Sequence, residues 1–318
     1  MNYLFSALLM LLSLFLGGLF LFTLFVAMRV RMGLPPEGRF VTIMGNRMHY
    51  LEQGKSVGDA PTIVMIHGLG GVAQNFSYSV LGQLAKDHRV VAIDRPGSGY
   101  SSRHPKSSPS LTVQADVVAG MIDALGLGKP LIVGHSLGGA VALATALRHP
   151  DKVAGLALVA PLTHMPSETS KAFAALGVTW PWLRRTVAWT LATPASILRR
   201  EQVMDIVFGP ESVPKDFPVR GGGLLGLRPS QFIAASEDMN ALPDALPLMQ
   251  QQYSGLTLPI SVLYGREDRI LDYREQGEAM AQAAPNVELE LISGGHMLPV
   301  TQPDVTAQFI RRHTALSV

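Results

Sequence analysis

Six short apolar runs recur along this chain: Thr62–Ile66, Val90–Ile93, Leu131–Val133, Leu156–Val159, Ile260–Tyr264 and Val287–Leu291. Each leads into a glycine-bearing turn and then a helical stretch. Strands that are apolar throughout, rather than at alternate positions, are those covered on both faces. Alternating with helices, they predict an α/β fold built on a mainly parallel sheet with helices on both sides. Ligands of such sheets bind beyond the carboxyl ends of the strands, so chemistry is expected in the turns after these runs. Ahead of them, Arg39–Ile43 and Arg47–Glu52 read as two more strands, with Gly45-Asn46 as a tight hairpin turn. Between Pro161 and about Leu258 the alternation stops. That stretch has helical periodicity, Pro181, Pro194, Pro210 and Gly221-Gly222-Gly223, but no core strand. It is read as an inserted helical cap lying over the strand ends. The expected organisation is an N-terminal transmembrane anchor over 1–30, a core over 31–161 and 259–318, and the cap over 162–258.

The anchor expectation rests on Leu4 to Met28, which contains no charge and no proline. A helix of that length crosses a hydrocarbon layer of about 30 Å. A cleaved signal peptide is the alternative, but its apolar region runs only about 7–15 residues. No Lys or Arg precedes the segment here, and Val26-Ala27-Met28-Arg29 offers no A-x-A-like cleavage site. Arg29, Arg31 and Arg39 follow it, so the positive-inside rule favours a cytoplasmic catalytic domain. That asymmetry is small, and the side of the membrane stays open. Gly17-Gly18 offers a small-residue surface on which a homodimer could pack. The net charge of +2 and the charged fraction of 16% give no reason to expect nucleic acid as a partner. The absence of cysteine rules out disulfides and thiolate chemistry.

After Leu131–Val133 comes Gly134-His135-Ser136-Leu137-Gly138-Gly139, a G-x-S-x-G turn placed between a strand and the helical run Ala140–Leu147. In that setting the serine occupies a sharp, strained turn, and its flanking glycines leave room that a Cβ would fill. Ser136 is the expected nucleophile. The Leu137 amide, at the helix start, is placed to donate to an oxyanion, assisted by the helix dipole. His135 is expected to point away from the serine. Thr62–Ile66 ends in His67-Gly68-Leu69-Gly70-Gly71, whose Leu69 amide is the expected second oxyanion donor. Asp94-Arg95-Pro96-Gly97-Ser98-Gly99 follows the next strand and is expected to fix a turn.

A serine hydroxyl needs a base, and histidine titrates in the right range. Of nine histidines, His296 lies in the turn Ser293-Gly294-Gly295-His296 directly after Val287–Leu291. Asp268 follows Ile260–Tyr264 and is the expected acid, with Glu267 and Asp272 as nearby competitors. The chain order Ser136, Asp268, His296 is that of the α/β-hydrolases.

These segments together resemble the α/β-hydrolase superfamily from about Arg39 to Arg312. The resemblance implies a Ser-Asp-His hydrolase with a two-amide oxyanion hole and no metal or organic cofactor. Serine at the elbow sets it apart from haloalkane dehalogenases and epoxide hydrolases, which carry aspartate there. One N-terminal span followed by the hydrolase domain is similar to membrane-anchored monoacylglycerol lipases and bacterial inner-membrane phospholipase A enzymes. The implied substrate is a lipid carboxylic ester, such as a monoacylglycerol, lysophospholipid or phospholipid. A general carboxylesterase, a C–C bond hydrolase and a non-catalytic hydrolase-like binding protein are the alternatives. All three tryptophans, Trp180, Trp182 and Trp189, fall in the cap beside Arg184 and Arg185. That pairing suits a membrane interface and equally an amphipathic helix packed on the core.

Overall fold

A computed structural model describes residues 2–58 and 60–314. The apolar runs become strands: β1 (Arg39–Ile43), β2 (Asn46–Gln53), β3 (Ile63–Ile66), β4 (Val90–Ile93), β5 (Leu131–His135), β6 (Gly155–Val159), β7 (Ile260–Gly265) and β8 (Val287–Ile292). They form one eight-stranded sheet in the order β1-β2-β4-β3-β5-β6-β7-β8. β1 and β2 pair antiparallel, β2 meets β4 antiparallel, and every later pairing is parallel. The helices that bear on the site are α1 (Asn2–Gly33), α2 (Leu111–Ala124), α3 (Leu137–Arg148), α4 (Pro181–Val187), α5 (Thr193–Leu198), α6 (Pro229–Asn240) and α7 (Pro303–Thr314).

Both faces of the sheet are covered over β3 to β7, which is why those strands are buried throughout and carry no polar alternation, whereas the edge strand β8 alternates with Glu288 and Glu290. Val64, Ile66, Ile132, Leu158 and Val262 share one core with Val118 of α2 and Val141 of α3. The intervening positions Ile63, Met65, Leu131, Val133 and Val159 share the other with Phe76, Leu81 and Phe309. Each fully buried Leu or Ile contributes about 1.5–3 kcal/mol, and successive strand residues supply the two cores alternately.

The hairpin turn lies one residue earlier than the sequence suggests. Met44 and Gly45, with φ of 50° and 77°, form it. Asn46 instead opens β2, because its buried side chain donates to Ile43 O (3.1 Å) and accepts from His104 N (2.9 Å). A side chain with those partners is committed to the strand end.

The described residues between β6 and β7 form helices and turns only, and this segment is called the cap from here on. α4, a π-helical turn over Ala188–Ala192, and α5 make one unbroken run from Pro181 to Leu198. Arg184 turns inward from it, donating to Ser236 Oγ (2.9 Å) and Val178 O (2.9 Å). Its neighbour Arg185 faces solvent.

α1 runs past Met28 to Gly33 and is long and apolar enough to cross a membrane. Its two ends differ. The N-terminal part is exposed. The C-terminal part packs on the cap: Phe20 meets the Trp189 ring at 5.7 Å, buried Thr23 donates to Thr190 O (3.3 Å), and Val30 joins Val72 and Leu225. Beyond Gly33 the chain is tied again, by Tyr100 Oη donating to Leu34 O (2.7 Å) and by His49 Nε2 against Glu37 O.

Candidate active site

β5 delivers Ser136 to the carboxyl edge of the sheet with φ 54° and ψ −123°, a conformation that L-residues adopt only under constraint. The constraint is visible around it. A Cβ on Gly134 would lie 2.6 Å from Gly138 O, and one on Gly138 would overlap the backbone of Ile66. The turn therefore closes only with glycine at both places. Ser136 N donates to Val159 O (3.1 Å), and Ser136 O accepts from Gly139 N (2.8 Å) and Leu162 N (2.9 Å). The serine is held from three sides.

β3 ends beside it. A Cβ on Gly68 would sit 2.9 Å from Ser136 Cβ, so the His67–Gly71 turn runs directly against the serine. The Leu69 amide and the Leu137 amide at the start of α3 donate to no other group among the described residues. The turn is fixed from below by Arg95, which is fully buried. Its Nε donates to His67 O (3.0 Å), its Nη2 to Gly68 O (3.0 Å), and its Nη1 to Gln114 Oε1 (2.9 Å) and Asp238 Oδ2 (2.5 Å). His67 stays neutral in this shell: burial, with Arg95 beside it, lowers its pKa to about 4. Its Nδ1–H donates to Gly68 O (2.8 Å), and its Nε2 accepts from Arg95 N (3.0 Å).

β7 and β8 bring the expected acid and base together. Asp268 Oδ2 lies 2.7 Å from His296 Nδ1, with both side chains buried. Asp268 Oδ1 accepts from Ile270 N (2.7 Å) and Leu271 N (3.0 Å), which fixes the carboxylate plane. The competing acids are occupied elsewhere. Glu267 Oε2 accepts from Gly294 N (2.6 Å), and Asp272 Oδ1 accepts from Arg274 N (2.8 Å). With Nδ1 donating to Asp268, the free Nε2 of His296 is the atom able to take a proton from Ser136. No hydrogen bond joins that ring to Ser136 Oγ among the described residues; such contacts commonly tighten only once substrate is bound.

Three groups escape sequence reading because their partners are distant in the chain. His135 turns toward His296, its Nε2 donating to the His296 carbonyl (3.0 Å) with the rings 4.9 Å apart. Burial, reinforced by His296, lowers its pKa to about 3, so it donates as neutral imidazole. Glu211 of the cap accepts from Gly295 N (3.0 Å) and so grips the His296 turn. Arg95 grips the turn after β3. The Asp94 carboxylate does fix loops: it accepts from Ala73 N (2.7 Å), Tyr100 N (2.8 Å) and His49 Nδ1 (2.8 Å).

The arrangement has a serine on a strained strand-to-helix turn, two idle amides flanking it, and an Asp–His pair at neighbouring strand ends. A family model described as the alpha/beta hydrolase fold matches residues 61–303. The chain belongs to that family. As an α/β-hydrolase it is similar, at 27% identity over 258 residues, to 2-hydroxy-6-oxononadienedioate/2-hydroxy-6-oxononatrienedioate hydrolase 1 of Dechloromonas aromatica, covering 78% of this chain and 83% of the relative. The crystal structure of a bacterial membrane phospholipase A superposes with a TM-score of 0.71 at 26% identity, over 100% of this chain and 99% of that one. The enol-lactonase of Burkholderia xenovorans LB400 shares the α/β-hydrolase fold at a TM-score of 0.70 and 21% identity, over 87% and 100%.

Proposed function

We propose that this α/β-hydrolase cleaves carboxylic esters of lipids at a membrane, through an acyl-enzyme on Ser136. His296 Nε2 takes the Ser136 proton as Oγ attacks the ester carbonyl. The Leu69 and Leu137 amides receive the oxyanion, each worth about 3–4 kcal/mol of barrier. His296 then protonates the departing alcohol, and water, activated by the same ring, releases the fatty acid. Asp268 orients the ring and stabilises the imidazolium. The observation that carries the lipid reading is α1, an apolar helix of membrane length whose end is built into the cap. Similarity to the membrane phospholipase A over the entire chain, the helix included, supports it.

The test is hydrolysis by detergent-purified full-length protein, wild type against Ser136→Ala. Its panel runs from short p-nitrophenyl esters to long-chain monoacylglycerols, lysophospholipids and phospholipids. Turnover that favours long acyl chains and disappears in Ser136→Ala is expected. A second reading follows from similarity to the Dechloromonas enzyme: the same serine site cleaving a C–C bond in a small dienedioate-type acid. Turnover of such compounds with no ester activity would favour it.

A further inference from the structure

We infer that the outer face of the cap helix Pro181–Leu198 seats on the surface of the same lipid bilayer that receives α1. The inference rests on reading α1 as the membrane span, and the argument is one of level along that helix. α1 crosses the cap helix where Phe20 meets Trp189 and Thr23 meets Thr190. The first charged residue of α1 is Arg29, nine residues beyond Phe20. At about 1.5 Å per residue the crossing lies roughly 13 Å to the membrane side of that charge. The apolar helix of 31 residues is roughly 46 Å long, against about 30 Å of hydrocarbon. The helix exceeds that thickness by roughly 16 Å, about 11 residues; Thr23 and Val30 are packed on protein, so the surplus lies at that end and the hydrocarbon ends near Phe22, at the crossing. The cap helix therefore lies at the boundary between hydrocarbon and headgroups.

Its composition fits that level. Trp182, Arg185 and Trp189 fall at i, i+3 and i+7, on one side of the helix. Trp180 and Trp182 stack at 6.2 Å while remaining 61% and 65% exposed, and Leu198 at the far end is 86% exposed. Arg185, Arg199 and Arg200 are exposed around them, against a single acid, Glu201. Aromatic rings with arginines at their edge match the interfacial layer, where a ring is half immersed and guanidinium groups meet lipid phosphates. Another side of the same helix, carrying Arg184, Ala188 and Ala192 at i, i+4 and i+8, is buried against the protein.

The chain supplies its own probe, since its only three tryptophans all sit on this helix or one residue before it. Trp189→Phe leaves Trp180 and Trp182 as reporters. Full-length W189F is reconstituted into vesicles of phosphatidylcholine with a minority of phosphatidylglycerol, with plain or mid-chain-brominated acyl groups. The expected result is at least about twofold lower fluorescence in the brominated vesicles, as for rings about 5–10 Å into the interface, with little quenching by aqueous acrylamide. Equal emission in the two lipids with strong acrylamide quenching would overturn the inference, because the face would then look into water. Equal emission with acrylamide excluded would also overturn it and assign the face to a second copy of the chain. Failure of the protein to float with vesicles would remove α1 as a span and the inference with it. The readout needs no turnover, so lipid contact without lipid hydrolysis would sink the proposed function and leave the docking intact.

Discussion

Ser136 at φ 54° and Gly68 beside it carry opposite expectations for substitution. The serine conformation stores about 1–3 kcal/mol of backbone strain. Ser136→Gly should abolish turnover yet raise the melting temperature above that of Ser136→Ala, which keeps the strain; differential scanning calorimetry reads the difference. Gly68→Ala drives a methyl to within 2.9 Å of Ser136 Cβ. The displaced nucleophile should lose about 100-fold or more in kcat, with far-UV circular dichroism unchanged. His67 and His135 set an acid limit. Their folded pKa values, about 4 and about 3, lie below the ordinary 6.5. The unfolded chain therefore binds more protons between the folded values and 6.5, and stability falls as pH drops through that window by about 1.4 kcal/mol per unit for each ring. Urea midpoints from pH 7 to 5 should fall accordingly, and His135→Phe should flatten the slope by about one proton. The residues of the proposed triad were legible because each closes a strand in its own local turn. Arg95, His135 and Glu211 were not, since what defines them is a carbonyl or amide reached only through the fold.

At the scale of elements, the buried guanidinium of Arg95 couples α6 to the turn after β3 through Asp238. Arg103 shares that carboxylate. Asp238→Ala would leave the fully buried Arg95 guanidinium without its counter-charge, while Arg103 keeps Glu237. A loss of about 3–5 kcal/mol is expected in denaturant titration, and Asp238→Asn should recover little of it. The strands were readable from composition because strands covered on both faces need continuous apolar runs. The hairpin slipped by one residue because the deciding contacts of Asn46 reach His104, far along the chain. The individual cap helices were not separable in advance. Their prolines are not helix breakers here: Pro181, Pro194, Pro218, Pro229 and Pro243 all stand in first turns.

For the whole molecule, α1 is the element whose role changes most between sequence and structure. Its hydropathy predicts a span, but nothing in a uniformly apolar run distinguishes outward-facing residues from those that face Val72 and Leu225. Removing residues 1–33 would uncover those side chains together with the Trp189 ring. The truncated domain should melt lower and bind an apolar dye, whereas a chain cut ahead of Leu19 keeps the packed turns and should do neither.

The short connection after α1 has a mechanical consequence. Leu34 and Glu37 are both fastened to the core, by Tyr100 and His49. No slack joint separates helix from hydrolase. If α1 spans the bilayer, a helix joined by a loose leash could tilt on its own to suit a thinner membrane; this one would tip the entire enzyme with it. Bilayer thickness would then act as a lever on the attitude of the catalytic edge, and activity in vesicles of graded acyl length would trace that rotation.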